Sequence, residues 1–83
     1  MHEYSLIQAM FDQIDRVTRE HHAQSIRRVR VTIGEYAGVD PELFQTAYEV
    51  FRINTPCADA PLQITRVAGS EELLLDQLEL EVP

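Results

Sequence analysis

The sequence predicts an α/β domain of the α+β kind, with two helices packed on one face of a small three-stranded mixed sheet. Three observations predict it. Two segments repeat apolar residues at steps of three and four, three segments carry strand-like apolar spacing, and Gly and Pro stand at the joints between them. With 83 residues, 45% of them hydrophobic and 25% charged, the chain has the composition of one ordinary domain. A chain this short buries roughly 60% of its unfolded surface, too little to enclose a large substrate cavity. It is therefore read as a single domain over residues 1–83 whose chemistry lies near the surface.

The first helix is expected from Glu3 to about His21. Leu6, Met10, Ile14 and Val17, flanked by Ile7 and Phe11, recur on one helical face. Val29, Val31 and Ile33 alternate with Arg28, Arg30 and Thr32, the pattern of a half-buried strand ending at Gly34. Gly34 and Gly38 bound a turn. Asp40-Pro41-Glu42 then starts a second helix, because Asp accepts from free N–H groups and Pro at the first helical position gives up no needed donor. That helix is expected to run to about Asn54, with Phe44, Ala47, Tyr48 and Phe51 inward, until Thr55-Pro56 stops it.

Leu62 and Ile64 alternate with Gln63 and Thr65 as a second strand, and Ala68-Gly69-Ser70 has the composition of a hairpin loop leading to a third. In that last strand Leu73 and Leu75 are odd-numbered whereas Leu78, Leu80 and Val82 are even, so one register cannot turn them all inward. A bulge near Asp76 or Gln77 reconciles them.

The net charge of -7 comes from 14 acidic against 7 basic residues, five of the acids lying between Glu71 and Glu81. Such a balance argues against nucleic acid and anionic membranes as partners. Arg27, Arg28 and Arg30 read as the solvated side of a strand. Met1 is followed at once by His2 and Glu3, without a basic stretch and apolar run of the signal-peptide kind, so a cytoplasmic location is expected. Cys57 is the sole cysteine, which excludes an intrachain disulfide and a Cys-rich zinc cluster.

His2 is the residue with most chemical content. A metal bound by the Met1 amine and the His2 amide nitrogen closes a five-membered ring, and adding His2 Nδ1 closes a six-membered one. The Glu3 amide, a carboxylate such as Glu3 or Asp40, or water completes the set. Planar nitrogen-rich coordination suits Ni(II) or Cu(II) better than zinc. Alone the signal is weak, because a histidine near a terminus is more often a solvated residue. Glu3 equally suits the first turn of a helix through the dipole, and the cap duty of Asp40 is enough to explain it.

The opening Met1-His2-Glu3-Tyr4-Ser5-Leu6 is similar to the Met-His-Glu start of the HypA/HybF family of hydrogenase nickel incorporation proteins. Arg28 to Glu35, Gly38 to Glu42, Phe44 to Phe51 and the closing Glu71 to Val82 stretch continue the likeness over nearly the whole chain. The resemblance implies a nickel metallochaperone, not an enzyme, with His2 as principal Ni(II) ligand, the Met1 amine and the amides of His2 and Glu3 as companions, and Asp40 at the family's helix-start position. It implies as partners the GTPase HypB and the large-subunit precursor of NiFe-hydrogenase, with urease as a client of some relatives.

One departure is large. Family members carry two Cys-x-x-Cys pairs on an inserted zinc domain, whereas here Val67 passes through a linker at about residues 68–70 directly to Glu71, so zinc is not expected. A homodimer paired through the exposed strand edge is compatible with the sequence, as is either hydrogenase or urease as client. His21 and His22 read as helix-end residues, Cys57 as incidental, and Tyr4, Tyr36 and Tyr48 as packing residues. The rival reading is a non-metal interaction module that docks a GTPase or another maturation partner. A hydrolytic enzyme lacks a supporting motif.

Overall fold

A computed structural model describes residues 3–83 of the chain. The element order is α1 (Glu3–Glu20), β1 (Ser25–Gly34), α2 (Pro41–Phe51), β2 (Leu62–Val67) and β3 (Leu73–Glu81). The expected fold class is observed: two helices and a mixed three-stranded sheet in the order β2-β1-β3. β1 lies in the middle, parallel to β2 and antiparallel to β3. The parallel pair requires a crossover, and α2 supplies it.

The core lies between the sheet and the helices. Ile26, Val29, Val31 and Ile33 of β1 are buried with Ile7, Met10 and Ile14 of α1 and with Phe44, Ala47 and Tyr48 of α2. Helix α1 is rotated slightly from the expected face: Ile7 is fully buried while Leu6 and Val17 are half-buried, and Thr18 is buried with them. Thr18 tolerates this because its hydroxyl donates to the Asp15 carbonyl at 2.8 Å. Three aromatic contacts join the helices, Phe11 stacking on Tyr48 and Phe51, and Tyr4 tilting against Phe51.

Helix α1 ends at Glu20, one residue before the expected His21. His22 turns left-handed (φ 52°), so that the His22 N–H donates to the Arg19 carbonyl and the Ala23 N–H to the Thr18 carbonyl, the paired bonds of a Schellman ending. Helix α2 stops at Phe51, short of Asn54, and Asn54 (φ 62°) turns the chain.

The bulge in β3 falls where the alternation requires it. Arg30 pairs with Gln77 but Val31 with Leu75, so Asp76 has no partner and the phase of the strand changes there. A second irregularity lies between Ile26 and Arg28 of β1. On the open face of the sheet Arg28 pairs with Glu79 at 3.2 Å, Arg30 Nε donates to Gln63 at 3.0 Å, and the Thr32 hydroxyl donates to Asp76. The arginines thus occupy the solvated side of β1, as their alternation predicts.

The hairpin expected at Ala68-Gly69-Ser70 is not one. β2 and β3 do not pair; they flank β1 on opposite sides, and the segment between them crosses the end of β1. The crossing is hydrogen-bonded: the Gly34 N–H donates to Glu72 O at 2.7 Å, Glu35 N–H to Val67 O at 2.8 Å and Tyr36 N–H to Ser70 O at 2.7 Å. Gly34 is needed there, since a Cβ on it would lie 2.3 Å from Ser70 O. Glu35 adds a side-chain tie, accepting from the Gly69 N–H at 2.9 Å.

Candidate metal centre

Two of the four residues singled out as metal ligands are brought together. Glu3 opens α1 and is only 4% exposed; its Oε2 accepts from the Asp40 N–H at 3.0 Å. Asp40 in turn caps α2 from an extended conformation (φ -81°, ψ 114°), its Oδ1 accepting from the Glu42 N–H at 2.9 Å and the Leu43 N–H at 3.3 Å. Gly38 (φ 74°) makes the turn that delivers Asp40 to this position. The other two residues, Met1 and His2, lie outside the described residues.

The contact sets the starts of both helices side by side. Each helix start carries roughly half a positive charge, and Glu3, Asp40 and Glu42 supply carboxylates to offset it. The sequence places Glu3 and Asp40 as alternative oxygen donors to one metal but gives no sign of the hydrogen bond between them, which spans 37 positions.

Other donor groups are remote or unsuited. Among the described residues no group of three or more His, Cys, Asp or Glu side chains is arranged to hold a metal. His21 and His22 follow the far end of an 18-residue helix, ~27 Å from Glu3. Cys57 is fully buried, and burial pushes its thiol up to about 11, which makes it a poor thiolate donor. Burial likewise raises the Tyr48 hydroxyl, which donates to Ala60 O at 2.6 Å, an acceptor it shares with Arg52 at 3.1 Å.

Comparison with known proteins gives a consistent picture. Residues 1–72 match the family described as "Hydrogenase/urease nickel incorporation, metallochaperone, hypA". The hydrogenase maturation factor HypA of Shewanella halifaxensis is 37% identical, with 98% of this chain and 98% of that protein covered. The factor of the same name from Shewanella oneidensis is 32% identical over 98% of this chain and 96% of its own length. The solution structure of the Ni metallochaperone HypA from Helicobacter pylori superimposes with a TM-score of 0.81 at 25% identity, covering all of both chains. Fold and matches together define a metallochaperone, a protein that serves metal incorporation and is not an enzyme. The chain belongs to the HypA family of hydrogenase maturation factors, whose work is nickel incorporation. Its alignment to the Shewanella halifaxensis protein extends over 113 positions against 83 residues here, so that relative has at least 30 residues without a counterpart.

Proposed function

We propose that this chain binds Ni(II) at its amino terminus and delivers it for the maturation of NiFe-hydrogenase in the cytoplasm. His2 is the principal ligand, with the Met1 amine and the amides of His2 and Glu3 completing a planar nitrogen set; Glu3 and Asp40 are the nearby oxygen donors. The observation that supports this reading is the hydrogen bond from the Asp40 N–H to the Glu3 carboxylate, which anchors the residue next to His2 to the start of α2. Family membership supports nickel as the ion, since the planar nitrogen set alone would accept copper as well.

A terminal amine and one imidazole make an open site that exchanges ligands readily, as delivery requires. Amines and imidazoles bind metal only after losing a proton, and free ones do so near ~7.7–8.0 and ~6.5, so affinity should fall as pH drops and acid should favour release. The acceptors proposed are the GTPase HypB and the hydrogenase large-subunit precursor. The domain is complete for nickel without zinc: the extra length of its relatives is proposed to be their zinc domain, replaced here by the linker at residues 68–70.

The test is a calorimetric titration of Ni(II) into the untagged chain and into His2→Ala near pH 7.5, with visible spectra recorded. Stoichiometric binding with a square-planar band, both lost in His2→Ala, is expected. Binding unchanged in the variant would place the nickel elsewhere, and no binding by either protein would favour the interaction module.

A further inference from the structure

β3 is the outer strand of the sheet on one side, and its nine residues make a long edge; strands of about 5–6 are typical. The backbone groups on its outer side point away from β1, the arrangement that accepts an added strand. Beside this edge the helices leave the core incompletely covered. A groove of about 170 Å³ opens between α1 and β3, walled by Leu6, Ala9, Met10 and Gln13 on the helix and by Leu73 and Leu75 on the strand. Most of its lining is apolar.

A strand added to β3 would lie about 4.8 Å beyond it, with alternate side chains on the helix side of the sheet, over the groove. The remaining side chains would lie on the open face beside β3's acids. Residues 71–81 carry five acids and no Lys or Arg. Arg28 answers Glu79 across the sheet, while Asp76 is held by the uncharged Thr32 hydroxyl. The required occupant is therefore apolar on one side and basic on the other. β1 itself, Arg28-Val29-Arg30-Val31, has that pattern and already pairs with the inner edge of β3.

We infer that the outer edge of β3, together with the apolar groove between it and α1, is a docking site for an extended segment of a partner protein in which apolar residues alternate with Lys or Arg. A second copy of this chain fits poorly, because pairing β3 with β3 sets the three acids of each strand, Asp76, Glu79 and Glu81, against those of the other with no Lys or Arg on either. The same charge disfavours acidic strands and so confers selectivity. Leu6 lies one helical turn from Glu3, so a docked segment begins close to the proposed nickel ligands, yet the site itself does not depend on nickel.

The probe is the capped peptide acetyl-Lys-Val-Arg-Val-Lys-Val-amide, titrated to ~1 mM into the isotope-labelled full chain and followed by amide NMR, with a Glu-for-Lys/Arg peptide as control. Shifts confined to Leu73–Leu78 and to Leu6, Ala9 and Gln13, slower exchange of β3 amides, and binding weakened about tenfold in Ala9→Lys are expected. Ala9 is exposed on its helix, so that variant folds, and its nickel titration should match the parent. The inference is overturned by absence of shifts, by shifts centred on the β2 edge or on Leu43 and Val50 of α2, by equal binding of the acidic peptide, or by a sedimentation dimer that protects β3.

Discussion

Glu3 and Asp40 are joined by a single hydrogen bond, and the two residues differ in how far their roles could be read beforehand. Asp40 precedes Pro41 and lies two positions before Glu42, so its capping duty is local and legible. The contact with Glu3 depends on how α1 and α2 pack and leaves no local trace. Substitution separates the cap from the ligand role. Asp40→Ala is expected to cost about 1 kcal/mol, the usual value of a helix cap, whereas Asp40→Asn keeps an acceptor for the Glu42 and Leu43 amides and should melt close to the parent. If Asp40 is chiefly a cap, nickel stoichiometry survives in both variants, which a parallel set of melting curves and calorimetric titrations checks.

Cys57 makes the second prediction at this scale. Its thiol is pushed from an ordinary 9.0 up to about 11 by burial, with Tyr48 and Arg52 pulling weakly the other way. The unfolded chain therefore loses this proton first as pH rises. Stability associated with the protonated thiol is fully present below pH 9 and is lost progressively towards pH 11; Tyr48, also raised by burial, acts in the same direction. Chemical denaturation at a series of pH values should show the decline starting above about pH 9, and it should be shallower in Cys57→Ala. Thiol labelling of the native chain at pH 8 should be much slower than in denaturant.

At the level of elements, alternation and capping were informative and connectivity was not. The phase change between Leu75 and Leu78 predicts a bulge, and Asp76 occupies it, because burial of both leucine sets on one face permits no other register. Ala68-Gly69-Ser70, by contrast, has a composition suited to a turn but carries no information about which strands it joins. The answer lies in Gly34. β1 ends on a residue without a side chain, and the connection passes across it to reach the far edge. Gly34→Ala is expected to destabilise the fold by at least about 2 kcal/mol, since a methyl group meets a hydrogen-bonded backbone that has little room to move. Gly69→Ala, with φ 73° but open space around its Cβ position, should cost less. Urea unfolding of the two variants gives the comparison directly.

For the whole molecule, the question is whether 83 residues fold and carry nickel without a second metal. The core is continuous from α1 across the sheet to α2, and the connection between β2 and β3 is tied by backbone hydrogen bonds and by Glu35, none of which needs an ion. Metal dependence should therefore be one-sided. A ligand that binds the folded chain alone stabilises it by RT ln(1 + [L]/Kd), about 2.7 kcal/mol at one hundred times Kd, so nickel at that excess should raise the melting temperature by roughly 10–20 °C in a domain of this size. EDTA should return the nickel-loaded protein to the melting temperature of the metal-free chain and leave the metal-free chain unchanged, because a structural zinc would supply folding energy that chelation removes. Calorimetric scans of the chain as purified, with nickel and with EDTA, check both halves. A fall below the metal-free value, or zinc found in the purified protein in stoichiometric amount, would mean that this shortened domain keeps a structural ion through donors other than Cys57.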